Sequence, residues 1–299
     1  MADIAASVLA RLKNKSAKLG RSNQLSLQLL CQEEFLRRLQ RSRYADNFIL
    51  KGGLFLYALT DFESRATFDI DFLLQNIPNT PEALRLVLEE ILSTQTGNDF
   101  FNFEITKIEL ISANKKHAGI GATVVVKIKN TRTTFGIDFG FGDVIVPKKE
   151  KRAIPTQLDD FEAPVISTYS IESTIAEKLD AILSLMEYSS RMKDYYDIFY
   201  LSRIFDFDGN TLRNAVAETF ANRHRDFTII QFDKILLLGD DAAMKKKWSA
   251  FLKKLRTTEI DFSDVLKTME VFLRDVIDAV DSGSEFKKSW NAANGHWIT

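Results

Sequence analysis

The sequence predicts an α+β protein in which strands gather in the first half and helices dominate the second. Three observations carry this expectation. The segments 101–112 (FNFEITKIELIS), 121–129 (GATVVVKIK) and 133–141 (TTFGIDFGF) have strand composition and alternate with a period of two. From about residue 170 onward the apolar positions recur at helical spacing instead. Only 5 prolines and 13 glycines interrupt 299 residues, so regular structure should prevail. Hydrophobic residues make up 45% of the chain and include 23 Phe, which supports a substantial core.

The elements follow in order. Residues 3–19 read as an amphipathic helix with Ile4, Val8, Leu9 and Leu12 on one face. Residues 23–41 form a second helix on Leu25, Leu29, Leu30, Phe35, Leu36 and Leu39, with Cys31 a small core residue. Its basic end (Arg37, Arg38, Arg41, Arg43) suits a helix C-terminus and reads as solvated. Phe48-Ile49-Leu50 is a short strand or extended lead-in, and Gly52-Gly53 turns the chain into an apolar helix over 54–59. The stretch 65–74 reads as a short buried strand. Asn79-Thr80-Pro81-Glu82 starts a helix that runs to about Ser93. Residues 147–164 carry many charges and Pro147, Pro155 and Pro164, so they read as a connector with the domain boundary near its end. Helices begin at Ser170 and at Arg191 and fill most of 210–281. The polar tail 282–299, with Trp290 and Trp297, reads as loosely ordered.

Several of these elements carry chemistry. Asp69 and Asp71 lie two apart on one strand and therefore share a face. Phe68, Ile70, Phe72, Leu73 and Leu74 around them argue against a solvated pair. Like charges that close raise one pKa unless a cation sits between them. A divalent metal is the common solution, and Mg²⁺ favours one or two carboxylates plus substrate phosphates. Upstream, Gly52-Gly53 at a helix start offers backbone N–H groups to phosphate oxygens. In 133–141, Phe135, Ile137, Phe139 and Phe141 share one face, while Gly136, Asp138, Gly140 and Gly142 share the other. Asp138 thus stands on a face stripped of side chains, either open to a substrate or simply exposed on a bulge-prone strand. Taken with Asp69 and Asp71, it would complete a three-carboxylate metal site.

Lys178 falls on the stripe Ile171, Ile175, Ile182, Leu185 and should point inward, where it needs an anion. A bound triphosphate and an internal partner such as Asp194 both satisfy that need. Asp194 aligns with Ile198 and Leu201 and also faces inward, whereas Lys193 and Asp197 have the spacing of a surface pair.

Composition excludes other classes. The formal net charge is −1, so a polyanion could be held only by local clusters: Lys115 with Lys116, Lys148 to Arg152, Lys245 to Lys247, Lys287 with Lys288. Each of these reads first as a solvated face. One cysteine and three scattered histidines rule out an intramolecular disulfide and a Cys- or His-built zinc site, and suit a reducing cytoplasm. No apolar run approaches the ~20 residues of a membrane span, and no signal peptide is expected at the N-terminus. What remains is a glycine pair, three strand carboxylates, and an inward Lys and Asp. This set fits metal-assisted nucleotidyl transfer, which needs positioning and cations and no His or Cys nucleophile.

The segments NFILKGGLFLYAL, ESRATFDIDFLL, TYSIESTIAEKLDAIL and SSRMKDYYDIFYL, in that order over about residues 44–205, resemble the AbiEii/AbiGii toxin family of bacterial abortive-infection toxin–antitoxin systems. The resemblance implies a polymerase-β-like nucleotidyltransferase core, a mixed sheet flanked by helices, over 1–165. A mostly helical domain over 166–299 would complete the active site. It also implies transfer of nucleotides from an NTP to RNA, with tRNA 3′ ends the acceptor in characterised relatives, Mg²⁺ or Mn²⁺ as cofactor, and a separate winged-helix antitoxin. By the same resemblance Gly52 and Gly53 cradle the NTP phosphates and Arg65 touches phosphate. Asp69 and Asp71 bind metal, Lys178 meets the triphosphate, Asp194 is the acidic residue of the next helix, and Asp197 assists. Two departures stand out. Gly53 replaces the serine of the family's usual Gly-Ser, and Leu185-Met186 replaces a common Arg-Gly.

Overall fold

The computed structural model describes residues 3–61, 64–111, 119–255, 257 and 259–299. It divides into two compact units, Met1–Asp143 with Lys149–Tyr169, and Val144–Lys148 with Ser170–Thr299.

The first unit is built on a seven-stranded mixed sheet. In chain order its elements are α1 (Ile4–Lys18), α2 (Asn23–Arg41), β1 (Phe48–Lys51), α3 (Gly52–Leu59), β2 (Ile70–Leu74), α4 (Pro81–Ser93), β3 (Asn102–Ile111), β4 (Gly119–Ile128), β5 (Thr131–Phe141), β6 (Glu150–Ala153) and β7 (Val165–Thr168). The strand order is β3-β4-β5-β2-β1-β7-β6. β2 runs parallel to β5, and β1 parallel to β7; the other pairs are antiparallel. Helix starts follow from side-chain caps. Asp3, Ser22 and Thr80 accept backbone N–H groups at the first turns of α1, α2 and α4.

One sheet face is a hydrocarbon core. Phe48, Phe72 and Phe139 stack edge to face, with centroids 5.3 and 5.9 Å apart, and Phe35 of α2 closes on Phe72 at 6.1 Å. All four are fully buried, and each contributes roughly 1.5–3 kcal/mol by burial. This packing fixes the sheet parity, so alternate residues of the same strands must face the other way.

Four sequence expectations are corrected in this unit. β2 begins only at Ile70, so Phe68 and Asp69 precede the strand, and Phe68 is 53% exposed. Ile4 is exposed too, and α1 buries Ala5, Val8 and Leu12. Arg37 and Arg38 are buried, not solvated: Glu33 and Glu34, one turn earlier, pair with them, and they donate to the carbonyls of Glu162 and Phe101. The connector carries β6, which pairs with β7 at the sheet edge.

The second unit holds α5 (Ile171–Leu185), α6 (Met192–Ile204), β8 (Phe207–Asp208), α7 (Gly209–Asn222), α8 (Ile229–Leu237), α9 (Ala242–Leu255), α10 (Phe262–Asp281), β9 (Ser289–Asn291) and β10 (His296–Ile298). The tail is ordered, contrary to expectation. β8, β9 and β10 form a small antiparallel sheet, and Trp290 is 1% exposed with its indole N–H donated to the Ser202 carbonyl at 2.6 Å. Among the described residues no helix is long and apolar enough to cross a membrane.

Candidate active site

In the first unit the carboxylates are brought together by strand register. Gly121 of β4 is opposite Asp138 of β5, Asp138 is opposite Asp71 of β2, and Asp71 is opposite Lys51 of β1. Directly opposed residues on paired strands share a face. Asp138, Asp71 and Lys51 therefore stand in one row, on the face away from the Phe core. Asp69 lies one step before β2, beside Gly136.

Glycines make room for this row. A Cβ on Gly52 would sit 2.1 Å from Oδ2 of Asp71, and one on Gly136 would sit 2.7 Å from Oδ1 of Asp69. Asp138 Oδ1 would be 3.4 Å from a Cβ on Gly121. Each carboxylate thus lies against bare backbone. Gly52 also has φ +68°, a left-handed conformation that turns β1 into α3 and favours glycine. A Cβ on Gly53 would meet the Thr67 side chain at 2.9 Å. Thr67 occupies the space that a serine at this position would need, which gives the Gly53 departure a local reason.

Lys51 was not singled out from the sequence. Its Nζ donates to Oδ2 of Asp143 at 2.8 Å and lies 5.0 Å from the centre of the Tyr169 ring. The signal available was a basic residue closing an apolar strand directly before the glycine pair. Arg65 is half-buried in the segment leading to β2.

The donors on this face are hard carboxylate oxygens, the kind that Mg²⁺ or Mn²⁺ takes. Among the described residues no three His, Cys, Asp or Glu side chains are placed to hold a metal ion together, so the three-carboxylate site expected from the sequence is not assembled as such. The row nevertheless fits such an ion, because Mg²⁺ binds through one or two carboxylates and completes its shell with water and substrate phosphate. Asp69 and Asp138 are exposed, so water and phosphate can reach the row.

In the second unit Ser170 caps α5 by accepting the Ser173 N–H. Lys178 on α5 is 11% exposed at its side chain, and its Nζ donates to Asp194 Oδ1 at 3.2 Å and to Asp197 Oδ2 at 2.6 Å, both on α6. Arg191 Nε donates to Asp194 Oδ2 at 2.5 Å. Of the two anions open to Lys178 on sequence grounds, the internal carboxylates are present. Asp197 is buried and accepts from Lys178, so it is more than the exposed surface charge its spacing suggested.

The basic clusters are largely tied up locally. Lys151 pairs with Asp46, Arg152 with Glu150, Lys245 with Asp240, Lys287 with Glu285 and Lys288 with Asp275. Lys247 donates to the Glu187 and Ser189 carbonyls. Lys115 and Lys116 lie outside the described residues.

A mixed sheet with a glycine turn, an acidic row on one face and a helical second part defines a nucleotidyltransferase fold. A solved Helicobacter pylori structure, provisionally described as a nucleotidyltransferase, is similar with TM-score 0.52 and 15% identity, over 89% of this chain and 100% of that one. The structure of JHP933, also from Helicobacter pylori, aligns with TM-score 0.46 and 15% identity, over 88% and 94% of the two chains. No curated relative matches the chain. The model of the nucleotidyl transferase AbiEii toxin family, of type IV toxin–antitoxin systems, matches residues 34–268, and the chain belongs to that family.

Proposed function

We propose that this toxin transfers nucleotides from an NTP to RNA, with tRNA 3′ ends as the acceptor and Mg²⁺ or Mn²⁺ as cofactor. The observation that carries the reading is the register of Asp71 against Asp138, with Asp69 beside them and glycine behind each. Asp69 and Asp71 would hold the ion, with Asp138 as the further carboxylate of the row. When bound, it would neutralise phosphate charge and activate the attacking hydroxyl. The N–H groups of Gly52 and Gly53, at the start of α3, would hold phosphate oxygens, with Arg65 as a further phosphate contact. Lys178, Asp194 and Asp197 carry roles by family resemblance: Lys178 meets the triphosphate, Asp194 is the acidic residue of the next helix, and Asp197 assists. The type IV system supplies an antitoxin, which we take to be a separately encoded winged-helix protein. The cytoplasm, where the buried lone Cys31 would stay reduced, is the site of action.

Incubation with each labelled NTP in turn, Mg²⁺ and total tRNA tests the reading. Labelled tRNA is expected from the wild type and none from the Asp69→Asn/Asp71→Asn variant, which should also lose growth inhibition. A double variant that stays toxic would show the mechanism to be wrong. Nucleotide binding without incorporation would mark a non-catalytic nucleotide- or RNA-binding module. Label in a small molecule or a protein would move the acceptor elsewhere.

A further inference from the structure

The two adjacent aspartates are held by different means. Asp71 is inside β2, with ladder partners on both sides, Lys51 on β1 and Asp138 on β5. Asp69 lies outside the strand, and the ladder that fixes Asp71 stops one residue short of it. Its place is decided by the backbone just upstream.

That backbone is held from α2. Gln28 and Gln32, one helical turn apart, are 4% and 1% exposed. Both side-chain amides donate to a single acceptor, the carbonyl oxygen of Phe68, with Gln32 Nε2 at 3.0 Å. The Phe68 carbonyl belongs to the peptide that leads into Asp69. A carbonyl has two lone pairs, and here both are used. Two buried amides are costly to place, and among the described residues Gln32 Oε1 is buried with no hydrogen-bond partner. The Phe68 side chain, 53% exposed, anchors nothing itself.

We propose that Gln28 and Gln32 are positioning residues for the acidic site. They lock the Phe68–Asp69 peptide and thereby keep the Asp69 carboxylate against Gly136 and beside Asp71. The inference rests on the reading of Asp69 and Asp71 as the cation-binding pair. It adds a clamp from a helix that carries no site residue. The clamp acts on the geometry of Asp69 and touches neither substrate nor ion.

The test is Mn²⁺ binding to the full-length chain, followed by water proton relaxation, with thermal unfolding measured alongside. Gln28→Leu, Gln32→Leu, the double variant and Asp69→Asn are compared with the wild type. The double variant should bind Mn²⁺ about tenfold more weakly, as supporting residues behind a metal ligand do. Gln32→Leu is the diagnostic single change. It removes an unpaired buried acceptor, so thermal stability should hold or rise while Mn²⁺ affinity falls. If the double variant does not fold, the two single variants decide. Should Asp69→Asn weaken binding while the glutamine variants bind like the wild type, the clamp is overturned and the site reading stands. Should Asp69→Asn itself bind like the wild type, both fall.

Discussion

The acidic row of the first unit, in which Asp69 and Asp138 are exposed, and the buried Lys178 cluster of the second are both collections of charge, yet they are assembled in opposite ways. Asp71 and Asp138 are neighbours because β2 and β5 pair in that register, and the ladder would hold them there whatever their charge. Lys178, Asp194 and Asp197 come from two helices and meet through their own ion pairs of 3.2 and 2.6 Å. A site whose geometry is held by backbone can spend its charge on a ligand. A cluster that holds itself together by charge contributes chiefly to folding, unless a ligand outcompetes its internal pairs. The contrast therefore separates positions where substitution should act on activity alone from positions where it should act on stability as well.

The largest expected effect is on the second side. Lys178→Met strips buried Asp197 of its 2.6 Å bond and Asp194 of one of its two cationic partners. Breaking a buried pair on one side costs about 3–5 kcal/mol. Urea unfolding should show that loss, and the triple change Lys178→Met/Asp194→Asn/Asp197→Asn should recover part of it. A Lys178→Met variant that unfolds like the wild type but transfers no nucleotide would break the comparison and make Lys178 a ligand contact first.

Asp71→Asn is the counterpart. The strand pairing is unchanged, so unfolding should shift little. Loss of one charge that stabilises the transition state costs about 10²–10³ in rate, measured as nucleotide incorporation at saturating NTP. A variant that lost stability and kept its rate would place Asp71 with the self-paired charges.

Glu33 provides a third point on the scale, a buried acid within the first unit. Burial pushes its pKa up to about 7, against the pull of Arg37 and of the Gln157 N–H. Its folded-state pKa lies above the unfolded value of 4.5. Between those two values the native state keeps a proton that the unfolded state has released, so stability falls as pH rises through the window. The stabilisation is complete below about pH 4.5 and lost above about pH 7, with a size of about 3 kcal/mol. Glu33→Gln should remove this segment from the stability-versus-pH curve; a wild-type curve that overlays the variant's between these limits would contradict the shift.

The same distinction explains what the sequence made legible. Alternation alone put Asp138 opposite a face of phenylalanines and Asp69 in phase with Asp71, because strand parity is a local property. Where β2 begins is not local. It depends on how far β1 and β5 extend alongside it, so the exit of Asp69 from the strand could not be read from 65–74. The burial of the α2 arginines has a local mark, partners four residues upstream: Glu33 to Arg37 and Glu34 to Arg38 repeat the helical spacing of paired charges. Trp290 looked like part of a loose tail because its strand partner is the two-residue β8, far away in sequence. Lys51 was passed over because a single basic residue at a strand end has no periodicity to mark it.

The glycines separate the two aspartates from each other, and the smallest stability effect is that of Gly136. Gly52→Ala places a Cβ 2.1 Å from Asp71 Oδ2 at a residue with φ +68°. Asp71 is fixed by ladders on both sides and yields little, and the left-handed backbone adds strain of about 1–3 kcal/mol. Both stability and incorporation should fall. Gly136→Ala places its Cβ 2.7 Å from Asp69 Oδ1, but the next atoms, Cγ and Cβ, are 3.5 and 3.9 Å away. Here the contact is with the far end of a side chain at the edge of the strand, and the carboxylate can rotate aside. Stability should stay within about 0.5 kcal/mol, while displacement of the carboxylate should lower incorporation about tenfold. If Gly136→Ala instead unfolds the chain as readily as Gly52→Ala, Asp69 is held as rigidly as Asp71, and its position owes more to its surroundings than to the peptide upstream.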